Sequence, residues 1–116
     1  MKTQLLGMKR KQNRSDAAME SRWRARDISL TIAQYNALLK DQGFCCAICK
    51  RHEDMFKNGL SVDHDHFSGE VRSLLCLNCN ALLGHAKDSI GVLEVVMQYL
   101  MREISLESIE RSIANG

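Results

Sequence analysis

Apolar positions along the chain fall into helical spacing, then alternation, then helical spacing again. Ala17, Ala18, Met19 and Glu20 are helix formers behind a Ser15 or Asp16 cap, and predict a helix from Ser15 to about Arg26. Thr31-Ile32-Ala33-Gln34 has the form of a capping box. Ile32, Tyr35, Leu38 and Leu39 then recur at helical spacing up to about Gln42, and Gly43 supplies the stop. Residues 50–59 are polar and end in Asn58-Gly59, a turn signal. Residues 60–66 and 71–75 read as two strands joined by the turn Phe67-Ser68-Gly69-Glu70, which predicts a hairpin. Helical spacing returns after Cys79, in a short helix to about Ala86. A second helix is capped by Ser89 and carries the stripe Ile90, Leu93, Val96, Met97, Leu100 and Met101. A last short helix from Ser105 carries Leu106, Ile109 and Ile113. Helices, a hairpin and helices in that order make the class α+β.

A chain of 116 residues has room for one domain with an extension, and buries a modest share of its surface, so a covalent or metal staple is expected. The organisation expected is a basic flexible arm over residues 1–14, a core with lead-in helices over 15–88, and a C-terminal helical extension over 89–116. No apolar run approaches the roughly 18–20 residues of a membrane span, and the N-terminal apolar stretch is too short for a signal peptide. A cytoplasmic protein without a membrane partner is the expectation. Net charge is +2, but unevenly spread: residues 1–30 hold eight Lys/Arg against three acids, and residues 88–116 hold two against five. Lys9, Arg10, Lys11 and Arg14 form a basic segment suited to a polyanion. The long apolar stripe of the C-terminal helices points to a homodimer built through them.

The cysteines change the picture most. Cys46-x2-Cys49 and Cys76-x2-Cys79 are two knuckles separated by 26 residues, the length of a whole hairpin. Four thiolates satisfy tetrahedral Zn²⁺ and leave no position for water, so the expected site is structural. Cys45 is a spare, expected to be a buried small side chain.

Between the knuckles lies Val62-Asp63-His64-Asp65-His66, and Asn80 follows the last cysteine. Two acids and two histidines in four residues are a poor choice for a purely structural strand. Phosphodiester hydrolysis needs a base for water, and a free imidazole, with a pKa of about 6.5, can take that proton at neutral pH. A hard divalent cation such as Mg²⁺ wants oxygen ligands, which Asp63 and the Asn80 amide can supply. Strict alternation puts His64 and His66 on one face and Asp63 and Asp65 on the other, so a shared site requires the strand to twist or end there. Trp23 is expected in the core, anchoring the first helix. His52 and His85 are expected to be ordinary, solvated or satisfied histidines.

The stretches CAIC, VDHDH and GEVRSLLCLNCNALLG, with the lead-in LTIAQYNALLKDQGFC, resemble the phage recombination endonuclease VII family, a branch of the HNH nucleases. The resemblance covers roughly residues 22–100. It implies a zinc-stapled ββα-metal (HNH) hairpin-helix core, and a Mg²⁺-dependent DNA endonuclease leaving 5′-phosphate and 3′-hydroxyl ends, with Mn²⁺ substituting. By the same resemblance His64 is the general base, Asp63 and Asn80 bind Mg²⁺, and His66 contacts the scissile phosphate or the metal's shell. Arg72 takes a phosphate-binding or hairpin-anchoring role, and a phage-encoded member would act in the host cytoplasm. The alternative from another class is a non-catalytic zinc-knuckle adaptor for nucleic acid or protein.

Overall fold

The computed structural model describes residues 15–116. The basic arm, with Lys9, Arg10, Lys11 and Arg14, lies outside the described residues. The chain divides into two compact units, one running to Leu82 and the other spanning Leu83–Gly116.

In the first unit, helix α1 (Asp16–Ala25) starts where the Ser15 hydroxyl accepts the Ala18 N–H at 3.2 Å. Helix α2 (Ile32–Asp41) starts with a complete capping box. The Gln34 N–H donates to Thr31 Oγ1 at 3.1 Å, and the Thr31 N–H donates to Gln34 Oε1 at 2.9 Å. The buried faces are Met19 and Trp23 on α1 and Tyr35 and Leu39 on α2. The Trp23 and Tyr35 rings stack with centroids 5.5 Å apart, so Trp23 is a core anchor. The Tyr35 hydroxyl continues this contact by donating to the Leu60 carbonyl at 2.7 Å, just ahead of the hairpin.

After α2, Gly43 and Phe44 both take left-handed backbone, at φ 63° and 63°. Glycine does so freely, whereas Phe44 stores strain of about 1 kcal/mol or more. Burial of its ring and an N–H bond to the Leu39 carbonyl at 2.9 Å offset that strain. The reversal delivers the chain straight into the first knuckle. His52 is more than a solvated histidine here. Its Nδ1 accepts the Asp54 N–H at 3.1 Å, capping a 3₁₀ turn over Glu53–Met55, and its ring stacks on Phe44.

Strands β1 (Ser61–His64) and β2 (Val71–Leu75) pair antiparallel. The first strand is shorter than the 60–66 expected, because the Asp65 side chain turns to accept the N–H groups of Phe67 and Ser68 at 2.8 and 2.9 Å. Leu60, Leu74 and Leu75 form the hairpin's share of the core. On the side of β2 away from β1, the Gln42 amide takes the place of a neighbouring strand. Its Nε2 donates to the Leu74 carbonyl and its Oε1 accepts the Leu74 N–H, both at 2.9 Å. Replacing Gln42 with Ala removes the side-chain partner of a buried N–H, and the expected cost is about 1–3 kcal/mol. Urea denaturation with an unchanged slope and a lower midpoint is the expected record.

Helix α3 (Leu77–His85) follows the second knuckle and crosses the boundary between the units. In the second unit, α4 (Ile90–Met101) and α5 (Leu106–Asn115) are each capped by a serine, Ser89 and Ser105. Neither helix buries a residue.

Candidate active site and zinc centre

The two knuckles converge. The sulfurs of Cys46, Cys49, Cys76 and Cys79 lie within 4.8 Å of one another, and Cys49 Sγ and Cys76 Sγ are 3.7 Å apart. A tetrahedral ion with Zn–S bonds of about 2.3 Å needs sulfur–sulfur edges of about 3.8 Å, so the donor set has the size and chemistry for Zn²⁺. All five cysteines are free thiols, and disulfide pairing is absent. Cys45 stands apart, half-buried, with its thiol directed to the Gly43 carbonyl at 3.3 Å.

Backbone geometry prepares the Cys46 sulfur for a cation. Burial pushes the Cys46 thiol up, but N–H donation from Cys76, Cys49 and Ile48 outweighs it and brings the group down to about 6. Cys79 is pushed up to about 12 by burial first, then by its thiol neighbours and the negative charge on Cys46. Without a cation the Cys79 thiol keeps its proton. Metal binding therefore expels protons from the cluster.

The hairpin between the knuckles carries the other chemistry. Asp63 is 6% exposed, and Arg72 grips it with both arms, Nε to Oδ2 at 2.7 Å and Nη2 to Oδ1 at 2.9 Å. A register break makes this pair possible. Asp63 lies opposite Ser73, but His64 lies opposite Val71, leaving Arg72 as an extra residue. Unbroken pairing would put Arg72 across from His64, on the face away from Asp63; the bulge turns it back. Each carboxylate oxygen has two lone pairs and Arg72 uses one, so Asp63 keeps capacity for a hard cation.

His64 is half-buried and its ring lies 5.1 Å from that of the exposed His66, two residues on in the turn. Asp65 serves the turn, where N–H donation from Ser68 and Phe67 holds its carboxyl below the usual range. Phe67, next in the chain, is fully exposed at the hairpin tip. Asn80 is half-buried in the first turns of α3, with its N–H on the Cys76 carbonyl at 3.0 Å. The structure thus brings together His64 with His66 and Asp63 with Arg72. Among the described residues no hydrogen bond or ion pair joins Asn80 to Asp63 or His64.

The model of one protein family, described as recombination endonuclease VII, matches residues 20–102, a span that includes both knuckles, the hairpin and α3. The chain belongs to that family. Two phage proteins, each named Gene 59 protein, resemble this endonuclease VII family member along most of its length. That of Mycobacterium phage D29 is 40% identical over 102 residues, and that of Mycobacterium phage L5 is 38% identical over 102 residues. Each alignment covers 87% of this chain and 61% of the relative, so the chain spans about three fifths of the length of these relatives. No solved structure matches it.

Two features of this family member escaped the sequence reading. The bidentate grip of Arg72 on Asp63 depends on a bulge that no residue type announces. Gln42 reaches Leu74 across 32 positions, beyond any local pattern. The paired cysteines and the DHDH run were legible because their spacing is local.

Proposed function

We propose that this chain hydrolyses phosphodiester bonds in DNA, using Asp63, His64, His66 and Asn80. The observation that carries the reading is the His64–His66 pair, next in sequence to the buried Asp63 carboxylate, on a hairpin held between two converging cysteine knuckles. In this reading β1, β2 and the first turns of α3 are the ββα-metal (HNH) core of a nuclease spanning residues 15–88, and residues 89–116 extend it. His64 takes a proton from the attacking water on an imidazole nitrogen. His66 contacts the scissile phosphate or the shell of the cation. Arg72 holds the Asp63 carboxylate in place and adds positive charge beside the phosphate. Asp63 and Asn80 would hold Mg²⁺, with Mn²⁺ as a substitute. When bound, the cation offsets charge on the phosphate and the leaving 3′-oxygen. The products are a 5′-phosphate and a 3′-hydroxyl. Lys9, Arg10, Lys11 and Arg14 supply sequence-independent affinity for phosphates, and the host cytoplasm of a phage is the place of action.

Supercoiled plasmid incubated with the zinc-loaded protein and Mg²⁺ or Mn²⁺ tests the activity, and a panel of linear, nicked, forked and four-way DNA then sorts substrates. Nicking is expected in the first assay. Binding without cleavage under both metals would replace the enzyme by an adaptor.

The same reading includes a second copy of the chain. Helix α4 is apolar on nearly every side, and Ile90, Met97, Leu100 and Met101 are each more than half exposed. A helix of that composition is normally covered. Leu106, Ile109 and Ile113 add an apolar face on α5. Identical chains most often close as two-fold dimers, which aims two sites at two strands. Light scattering at micromolar concentration is expected to give twice the mass of the 116-residue chain. Leu100→Glu is expected to return it to the monomer mass; a monomeric parent would remove the dimer.

A further inference from the structure

We infer that the body of the protein carries a second contact with substrate DNA, a four-cation track for one sugar-phosphate strand formed by Arg22, Arg26, Arg51 and Lys57. The inference rests on the DNA nuclease reading and places a site that the DHDH hairpin does not contain. Two adjoining clefts, of about 50 and about 510 Å³, share Arg22 and Ser61 on their walls. The smaller adds Arg26, and the larger adds Arg51 and Lys57. Neither is lined by a carboxylate. In a chain with 14 acids against 16 bases, a continuous wall without an acid is a strong local bias. It is not general to the surface, since another cleft of about 550 Å³ has Asp27 and Glu70 on its wall and no Lys or Arg.

The remaining donors fit a phosphate backbone. Asn58, Asn78 and Ser61 border the larger cleft, and Leu77 and Asn78 bring the start of α3 to it. Hydroxyls, amides and helix N-termini are the groups that join Arg and Lys in binding phosphates, and they carry no base preference. Arg22 lies in the last turn of α1 and Arg26 is its C-cap residue, and both border the smaller cleft. All four cations are exposed.

Ser61 fixes the distance to the catalytic hairpin. It opens β1, and His64 closes it three residues later, about 10 Å along the strand. Duplex DNA rises about 3.4 Å per nucleotide, so the track would hold phosphates about three nucleotides from the cut. A strand lying there is registered against His64 before cleavage, whatever its sequence.

The test measures affinity of the zinc-loaded full chain for a fluorescent duplex without added Mg²⁺, across a salt series. Replacing all four cations by Gln is expected to flatten the slope of log affinity against log salt by up to about 3.6 units. Arg22→Gln alone is expected to cost about 0.9 unit, which is roughly eightfold in affinity at 0.1 M salt. Arg22→Lys keeps the charge and the slope, which separates phosphate binding from a structural role. Arg22→Gln and Lys57→Gln keep the question answerable if the quadruple variant loses its zinc or its fold. Slopes equal to the parent's in these single variants would overturn the track while leaving the nuclease reading intact. A parent protein that neither binds nor cuts DNA would overturn both.

Discussion

His64→Ala protein is expected to nick supercoiled plasmid roughly 10²–10⁴ times more slowly than the parent, the usual worth of a general base. Its affinity for DNA is expected to survive, because the cations proposed to bind phosphate lie elsewhere on the chain. His64 is half-buried on the last residue of β1, where the register break falls, so the substitution removes an imidazole without opening the core. Asn80→Ala is expected to lose activity as well, with partial recovery at higher Mg²⁺, since an amide ligand contributes affinity for the cation and takes no proton. A time course of nicking at fixed protein and several Mg²⁺ concentrations separates the two behaviours. Full activity of the His64→Ala protein between pH 6 and 9 would refute the base assignment. Tight binding with no cleavage by the parent protein would leave a DNA adaptor.

Loss of the metal is expected to have the larger structural effect. Elemental analysis should find one Zn²⁺ per chain, and chelation should unfold the hairpin and both knuckles. Structural zinc contributes about 10–16 kcal/mol in small zinc-binding peptides, as much as the whole stability of an ordinary domain. The first unit has few other resources. Its core depends on Met19, Trp23, Ile28, Tyr35, Leu39, Phe44, Leu60, Leu74 and Leu75, and the cysteines Cys46 and Cys76 are themselves fully buried. Emptying the cluster would leave thiols in the place of a bonded centre. Far-ultraviolet circular dichroism during chelation, followed by zinc restoration, reads the change and its reversal. A folded, active protein without zinc would defeat the idea, and Cys76→Ser offers the same test without a chelator.

What the sequence disclosed and what it concealed divide by the range of the interaction. The Thr31–Gln34 box, the Ser89 and Ser105 caps, strand β2 and the spacing of the cysteines each depend on residues within a few positions, and each lies where the pattern placed it. Trp23 as a core anchor followed from an apolar ring on a short helix in a chain with few aromatics. The failures are partly tertiary and partly local competition for backbone N–H groups. His52 became a cap because the first knuckle folds back against Phe44. Strand β1 stopped early because Asp65 found two backbone donors in the turn. The face that Arg72 shows depends on the register shift in β2, and alternation read along the strand gives the opposite answer. The site residues were nameable from local composition, but the partner of Asp63 was not.

The Gln42 amide on Leu74 also bears on how copies of the chain can meet. A sheet of two strands has two edges, and each can accept a strand from another molecule, the usual route to aggregation. At Leu74 that route is closed, because the side chain of Gln42, the C-cap of α2, already fills both backbone positions and the Ala47 N–H adds a second donor to the carbonyl at 3.2 Å. A hairpin carrying two histidines and an open aromatic tip can then be displayed to a substrate without recruiting its own kind through that side. Gln42→Ala should therefore show a second phenotype beyond its stability loss, a tendency to form β-rich aggregates on mild heating.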